Sequence, residues 1–279
     1  VDELDFRRMK VNTTNWIHEA RIKGDVGQMA LRAHGIDLSK ELVHVDDALL
    51  SDARLSVELS DTVPPDTTPK TNKWKVNIQK LKLKNTALAL HMPGDTLRVN
   101  AYMGDATAHG TYLDLFKGLY QVRALDWRKG RVTYDNYQTE MLAGKNISVL
   151  RPAEGLDFNH IALLDMTLKA DSFYFCDSKI DVKIRQAQFR ERCGLNVQQM
   201  YGRFVMDSLQ LQLPALCLRT PSSTLQTMVD MDMNAFADSA PGKLTAMIRG
   251  SIGREDLMLF AGAYMPQKMR RNWPYYPME

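Results

Sequence analysis

The stretch VNIQKLKLKNTALAL, Val76 to Leu90, alternates apolar and polar residues but changes phase twice. Val76 and Ile78 share one parity, Leu81 and Leu83 take the other, and Leu88 and Leu90 return to the first. Successive side chains of a strand point to opposite faces, so a slip of one residue sends every later apolar side chain to the other face. A strand with one buried face therefore keeps its phase unless the backbone bends. The slip between Ile78 and Leu81 reads as a bulge or short kink, an extra residue that bends the strand and restores its apolar side to the same face. The second change, over Lys84 to Thr86, fits either another bend or a turn.

Counted from Ile78, the apolar positions fall at offsets 0, 3, 5, 10 and 12, which are Ile78, Leu81, Leu83, Leu88 and Leu90. The same spacing fits Val45, Ala48, Leu50, Leu55 and Val57, and again Val122, Leu125, Trp127, Val132 and Tyr134. It fits Phe6, Met9, Val11 and Trp16, with His18 imperfect. Ile161, Leu164 and Met166 open another copy, with Phe173 and Phe175 two residues late, and Leu213, Leu216 and Leu218 open a sixth, with Leu225 also late. Five set positions are all apolar by chance about once in 60 starts in such a chain, so the fairly even spacing carries the repeat more than the matches do. A bend at one place in every repeat curls a long sheet consistently. The expected fold is all-β: an elongated, curled antiparallel sheet of loose repeats about 40 residues long, with one or two short helices. The result is a trough with Leu, Ile, Val, Met and Phe inside and Lys, Asp and Gln outside.

Other segments agree. HVDDALLSDARLSVEL, DTLRVNAYM, KIDVKIRQAQF, SLQLQLPALCL and KLTAMIRGSI are period-2 runs separated by Gly, Pro, Asn and Asp. Residues 61–72, DTVPPDTTPKTN, read as a flexible, long hairpin loop, with a domain boundary as the weaker option. Arg254 to Met265 reads as a short helix, with Leu257, Phe260, Ala261 and Tyr264 on one face and Pro266 ending it. A second helical turn is expected near Leu113 to Tyr120. Residues 1–279 form one continuous repetitive β segment, read as a piece of a larger protein because both ends look internal.

With 36 basic and 33 acidic residues spread throughout, the net charge of +3 gives no basic stripe for nucleic acid. No apolar run approaches the roughly 20 residues of a membrane helix. Cys176, Cys193 and Cys217 show neither a paired framework nor zinc spacing, and read as small residues in or near a core. The six histidines are scattered singly. No nucleophile elbow, zincin, P-loop or dinucleotide fingerprint is present, so no catalytic, metal or cofactor residue is expected and an enzyme is the weakest reading.

FNHIALLDMTLKADSFYF, GLNVQQMYGRFVMDSLQLQLPALCLRTPSSTL and MDMNAF resemble the repetitive β region of TamB-family proteins, members of the translocation and assembly module, most of all their long Bacteroides-type versions. AsmA-like proteins share this texture. The resemblance runs from about Trp74 to the end and rests on strand-and-turn texture. It implies a long β-taco groove with an apolar interior, anchored in the inner membrane by a segment outside this chain and reaching across the periplasm. It also implies a role in outer-membrane biogenesis, phospholipid or other acyl-chain ligands, and a BamA-like barrel partner. The candidate groove lining is then Ile78, Leu81, Leu83, Leu88, Leu90, Val122, Leu125, Trp127, Val132, Tyr134, Ile161, Leu164, Met166, Phe173 and Phe175. Two alternatives stand beside it. One is a closed β sandwich or solenoid with a dry core. The other is a periplasmic module that chaperones outer-membrane or secreted β chains by strand addition.

Overall fold

The computed structural model describes residues 3–15, 20–59, 73–92, 96–114, 116–137, 155–176, 179–235 and 240–261. They form one sheet of twelve strands in strictly sequential order and one short helix. The strands are β1 (Glu3–Asn15), β2 (Ala20–Asp37), β3 (Leu42–Leu59), β4 (Lys75–Met92), β5 (Leu97–Asp114) and β6 (Leu119–Asn136). They continue with β7 (His160–Cys176), β8 (Lys179–Glu191), β9 (Asn196–Met206), β10 (Gln210–Arg219), β11 (Thr224–Asp232) and β12 (Leu244–Ser251), followed by helix α1 (Arg254–Ala261). The expected period-2 runs supply most of β3, β8 and β10, all of β12 and the first part of β5, with Ser208 and Leu209 in the turn before β10, and the architecture is an open, curled sheet.

Neighbouring strands are antiparallel with one exception: β3 and β4 run parallel, Leu42 beside Lys75 and Glu58 beside His91. Leu59 and Lys75 therefore sit at opposite ends of the paired strands. This corrects the hairpin expected between them, since a hairpin joins antiparallel strands. The 61–72 stretch itself lies outside the described residues. The helical turn expected at Leu113–Tyr120 is instead the turn between β5 and β6, residues 116–118, closed by the Lys117 amide donating to Asp114 at 3.1 Å. The C-terminal helix is present over Arg254–Ala261; residues 262–265 of the expected span lie outside the described residues.

A closed sandwich is not what forms. The accessible surface is 18544 Å², against about 12,000 Å² for a compact protein of this mass. The buried apolar side chains among the described residues are Val, Ala, Met and one Leu; no Ile, Phe, Tyr or Trp is buried. Large side chains in a two-layer core would be covered from both sides. Here they stand half-open on a single layer.

The creases of that layer are its main feature. Arg8, Gly27, Asp52, Asn85, Gly104 and Lys129 stand opposite one another across β1 to β6, and the ladder skips each of them. Arg8, Asp52, Asn85 and Lys129 have positive φ, from 45 to 55°, and Asp165 on β7 continues the line at 50°. A left-handed residue breaks the alternation of a strand, and Asn and Asp tolerate it best among non-glycine residues. A second line, six residues away, skips Asp46, Gln79, Gly110 and Arg123. Gly110 has φ 61°.

These creases fall at the two phase changes of Val76–Leu90, at Gln79 and Asn85. They are not bulges in the usual sense. From β3 to β6 the register is unshifted, so one residue faces one residue at every skipped position. Strands β3 to β6 bend at the same two levels, and the sheet there folds along two lines perpendicular to its strands.

Candidate functional site

The creases keep one set of side chains on one face. In β5 the less exposed positions are Leu97, Val99, Ala101, Met103, then Ala106, Ala108, then Thr111. Steps of two become steps of three at each crease. Directly paired residues share a face, so these positions extend into rows that cross the sheet.

The structure brings most of the candidate lining residues into such rows. Ile78, Val122 and Phe173 stand in one, with Val45 and Thr111. Leu81 and Leu125 share the next with Ala48, Ala108 and Ala170. Leu83 and Trp127 alternate with Leu50, Ala106 and Leu168. Beyond the second crease, Leu88 and Val132 align with Leu55, Ala101 and Leu163, and Leu90, Tyr134 and Ile161 with Val57 and Val99. Phe175 lies beside Tyr120 in the row of Val76, their rings 5.9 Å apart. Leu164 does not join them. It pairs with Arg190 beside a register shift, and Leu163 takes the place next to Val132.

One row does not follow from the apolar spacing: Met9, Val26, Ala53, Thr86, Met103, Gly130 and Met166. It borders the Asn85 crease and is the best-buried line in the sheet, with Ala53 and Thr86 at 0% exposure. Many of its members are small or polar, which hid it. The Thr86 hydroxyl donates to the Lys84 carbonyl at 3.0 Å. Gly130 leaves room for the Trp127 indole, since a Cβ there would stand 2.7 Å from Nε1 and 3.1 Å from the Met166 carbonyl. Away from the crease the face opens, and Leu88 is 39% exposed.

Three template copies are placed differently. The copy opening at Ile161 lies on β7 antiparallel to β6, so Ile161 stands in the row of Leu90 and Phe173 in that of Ile78. Phe6 falls in the row of Leu83, not of Ile78, so the first copy is out of phase; Trp16 and His18 lie outside the described residues. The sixth straddles a turn, with Leu213, Leu216 and Leu218 on β10 and Leu225 on β11. The three full matches lie on β3, β4 and β6, which form the same rows; β5 reads the pattern backwards as Thr111, Ala108, Ala106, Ala101 and Val99.

The opposite face is polar and largely paired within itself. Arg32 meets Asp47, Arg190 meets Asp165, and Arg203 meets Asp181. The Arg128 guanidinium donates to Asp126 at 2.7 Å and holds that carboxyl below its ordinary range. Hydrogen bonds from Arg203 do the same for Asp181. The histidines are not all single. His34 stacks on His44 at 5.4 Å, and His34 Nδ1 is 2.8 Å from Asp46 Oδ1, which also accepts from Gln79.

No group of three metal-ligating side chains gathers among the described residues. None of the three cysteines forms a disulfide, and each is partly exposed. Burial, then the neighbouring Glu191, pushes the Cys193 thiol up to about 11, so it stays protonated and unreactive. No described helix is long and apolar enough to cross a membrane. The arrangement is a broad apolar surface, six to seven strands wide, backed by a charged one. Compared with protein-family models and with curated proteins, the chain matches none.

Proposed function

We propose that this chain is a non-enzymatic segment of a TamB/AsmA-like protein, anchored in the inner membrane and spanning the periplasm. Its creased apolar face shields lipid acyl chains on their way to the outer membrane. The observation that carries the reading is the set of apolar rows running unbroken across β3 to β7, half-open, with no second layer over them among the described residues. Shielding a chain from water is favourable by about 0.8 kcal/mol per CH₂. A lipid moving across strands meets similar side chains at each step, so no single position traps it. A photoactivatable lipid should label cysteine-tethered probes at Leu83, Leu88 and Val132 but not at Lys82 or Arg131 on the polar face. Equal or absent labelling at the apolar positions refutes the proposal.

A second reading rests on β12, whose eight residues are all exposed. Such an edge offers its free backbone groups to an added strand of a β-barrel client or partner. An alternating peptide should then bind, and Ile248→Pro should abolish binding; undiminished binding to that variant removes the reading.

A further inference from the structure

We propose that the polar face of β9 to β12 carries a binding pocket for a phosphate-class oxyanion. A cavity of about 430 Å³ lies there, with Arg219 and Arg249 among its lining side chains. Neither guanidinium has an ion pair or side-chain hydrogen bond among the described residues, whereas Arg32, Arg128, Arg190 and Arg203 on the same face each hold a carboxylate. The other polar lining groups are neutral, among them Gln199, Gln226, Tyr201 and Cys217. No described carboxylate lines the cavity. Nearby acids are already engaged, Asp256 by three hydroxyls and Asp230 by Gln212.

The register makes the two arginines converge. Arg219 pairs with Thr224 on one side and Gln199 on the other. Arg249 pairs with Gln226, two residues further along β11. The two Cα atoms are thus two strands and two residues apart, about 12 Å, within reach of two long side chains closing on one ligand. Guanidinium forks match tetrahedral oxyanions, and neutral amide and phenol donors fill the remaining lone pairs. Gly250 also lines the cavity; its φ is 135°, and a Cβ there would collide with the Thr224 carbonyl, so only glycine lets β12 lie this close to β11 beside Arg249. This site lies on the face opposite the apolar rows and does not depend on what those rows carry.

The test uses Cys217, which lines the same cavity as the arginines, as reporter. At matched ionic strength, inorganic phosphate should slow maleimide labelling of Cys217 severalfold relative to chloride, and leave Cys176 unchanged. Arg219→Gln combined with Arg249→Gln should remove the protection. A short-chain soluble phosphatidic acid identifies the source. Protection equal to that of phosphate assigns the pocket to the free anion; protection at about tenfold lower concentration assigns it to a headgroup. Equal Cys217 rates in chloride, phosphate and the lipid overturn the proposal, as does protection that survives in the double variant. If that variant fails to fold, the comparison on the native chain still decides.

Discussion

Strands β2 to β6 are each 18 residues long and β7 has 17, whereas β8 to β12 shorten from 13 to 8. The wide region is creased in step, and its registers from β3 to β6 are unshifted. In the tapering region the matching lapses. Register shifts occur from β7–β8 through β10–β11, and β11 pairs with β12 without one. The last two strands alternate plainly. On β10, Pro214 and Ala215 stand against Met228 alone, one extra residue between the pairs Leu213–Val229 and Leu216–Thr227. Proline has no N–H for the ladder and suits such a site. A crease thus continues only while each new strand repeats it, and ends where a bulge absorbs the mismatch.

Both regions have ion pairs between strands and turns pinned by carboxylates, Asp37 and Asp114 among those of the wide one. The taper adds further turn carboxylates and a helix. Glu191 accepts from the Ala162 amide at 2.9 Å and from the Cys193 amide, Asp207 accepts from the Leu209 and Gln210 amides, and Asp232 accepts from Lys243 at 2.7 Å. Asp256 of α1 takes the hydroxyls of Thr220, Ser222 and Ser223, and the Leu259 carbonyl accepts from the Leu156 amide at 2.8 Å, so the helix ties the narrow end back to the chain entering β7.

The contrast can be broken most severely at Gly130. Gly130→Val drives a branched side chain into Trp127 and the Met166 carbonyl, and should cost about 3 kcal/mol in urea unfolding. In the taper, Asp256→Asn should cost about 2 kcal/mol by weakening bonds to three hydroxyls. Burial raises the Asp256 pKa, but Ser223, Thr220 and Ser222 outweigh it and leave the group lowered; the amides around Glu191 likewise outweigh its burial. For a lowered carboxylate, stability is full above the ordinary range near 4 and is lost as pH falls through the folded value. Unfolding midpoints should therefore drop from pH 6 to pH 3, and drop less in Asp256→Asn. The smallest contrast is a matched pair. Asn85→Val places a β-branched residue at φ 45° and should cost about 1–2 kcal/mol, while Gln226→Val on plain β11 should stay within about 0.5 kcal/mol. Equal losses would show that the crease imposes no special demand.

The phase changes at Gln79 and Asn85 were legible in one strand because a face that must stay apolar cannot absorb a slip without a bend. Both creases lie where that demand puts them, but they are shared bends rather than bulges. A single strand cannot say whether its neighbour bulges against it or bends with it, and the matched Asp52, Asn85, Gly104 and Lys129 are visible only in the register. The buried row through Ala53, Thr86 and Gly130 was hidden for a related reason. Beside a crease there is little room, so small and polar residues occupy positions where a hydrophobic search expects large ones. The choice between Leu163 and Leu164 turned on the bulge opposite Arg131, where Leu164 and Asp165 stand against one residue of β6, which no count along β7 alone reveals.

What the amino-acid order determined by itself was an all-β chain whose strands bend at set places, because alternation and its breaks are properties of the local backbone. Only the tertiary structure decided that β3 and β4 run parallel, that the bends align into two lines, and that the layer stays single. Those outcomes depend on which strand lies beside which, and pairing is chosen by contacts between residues far apart in the chain.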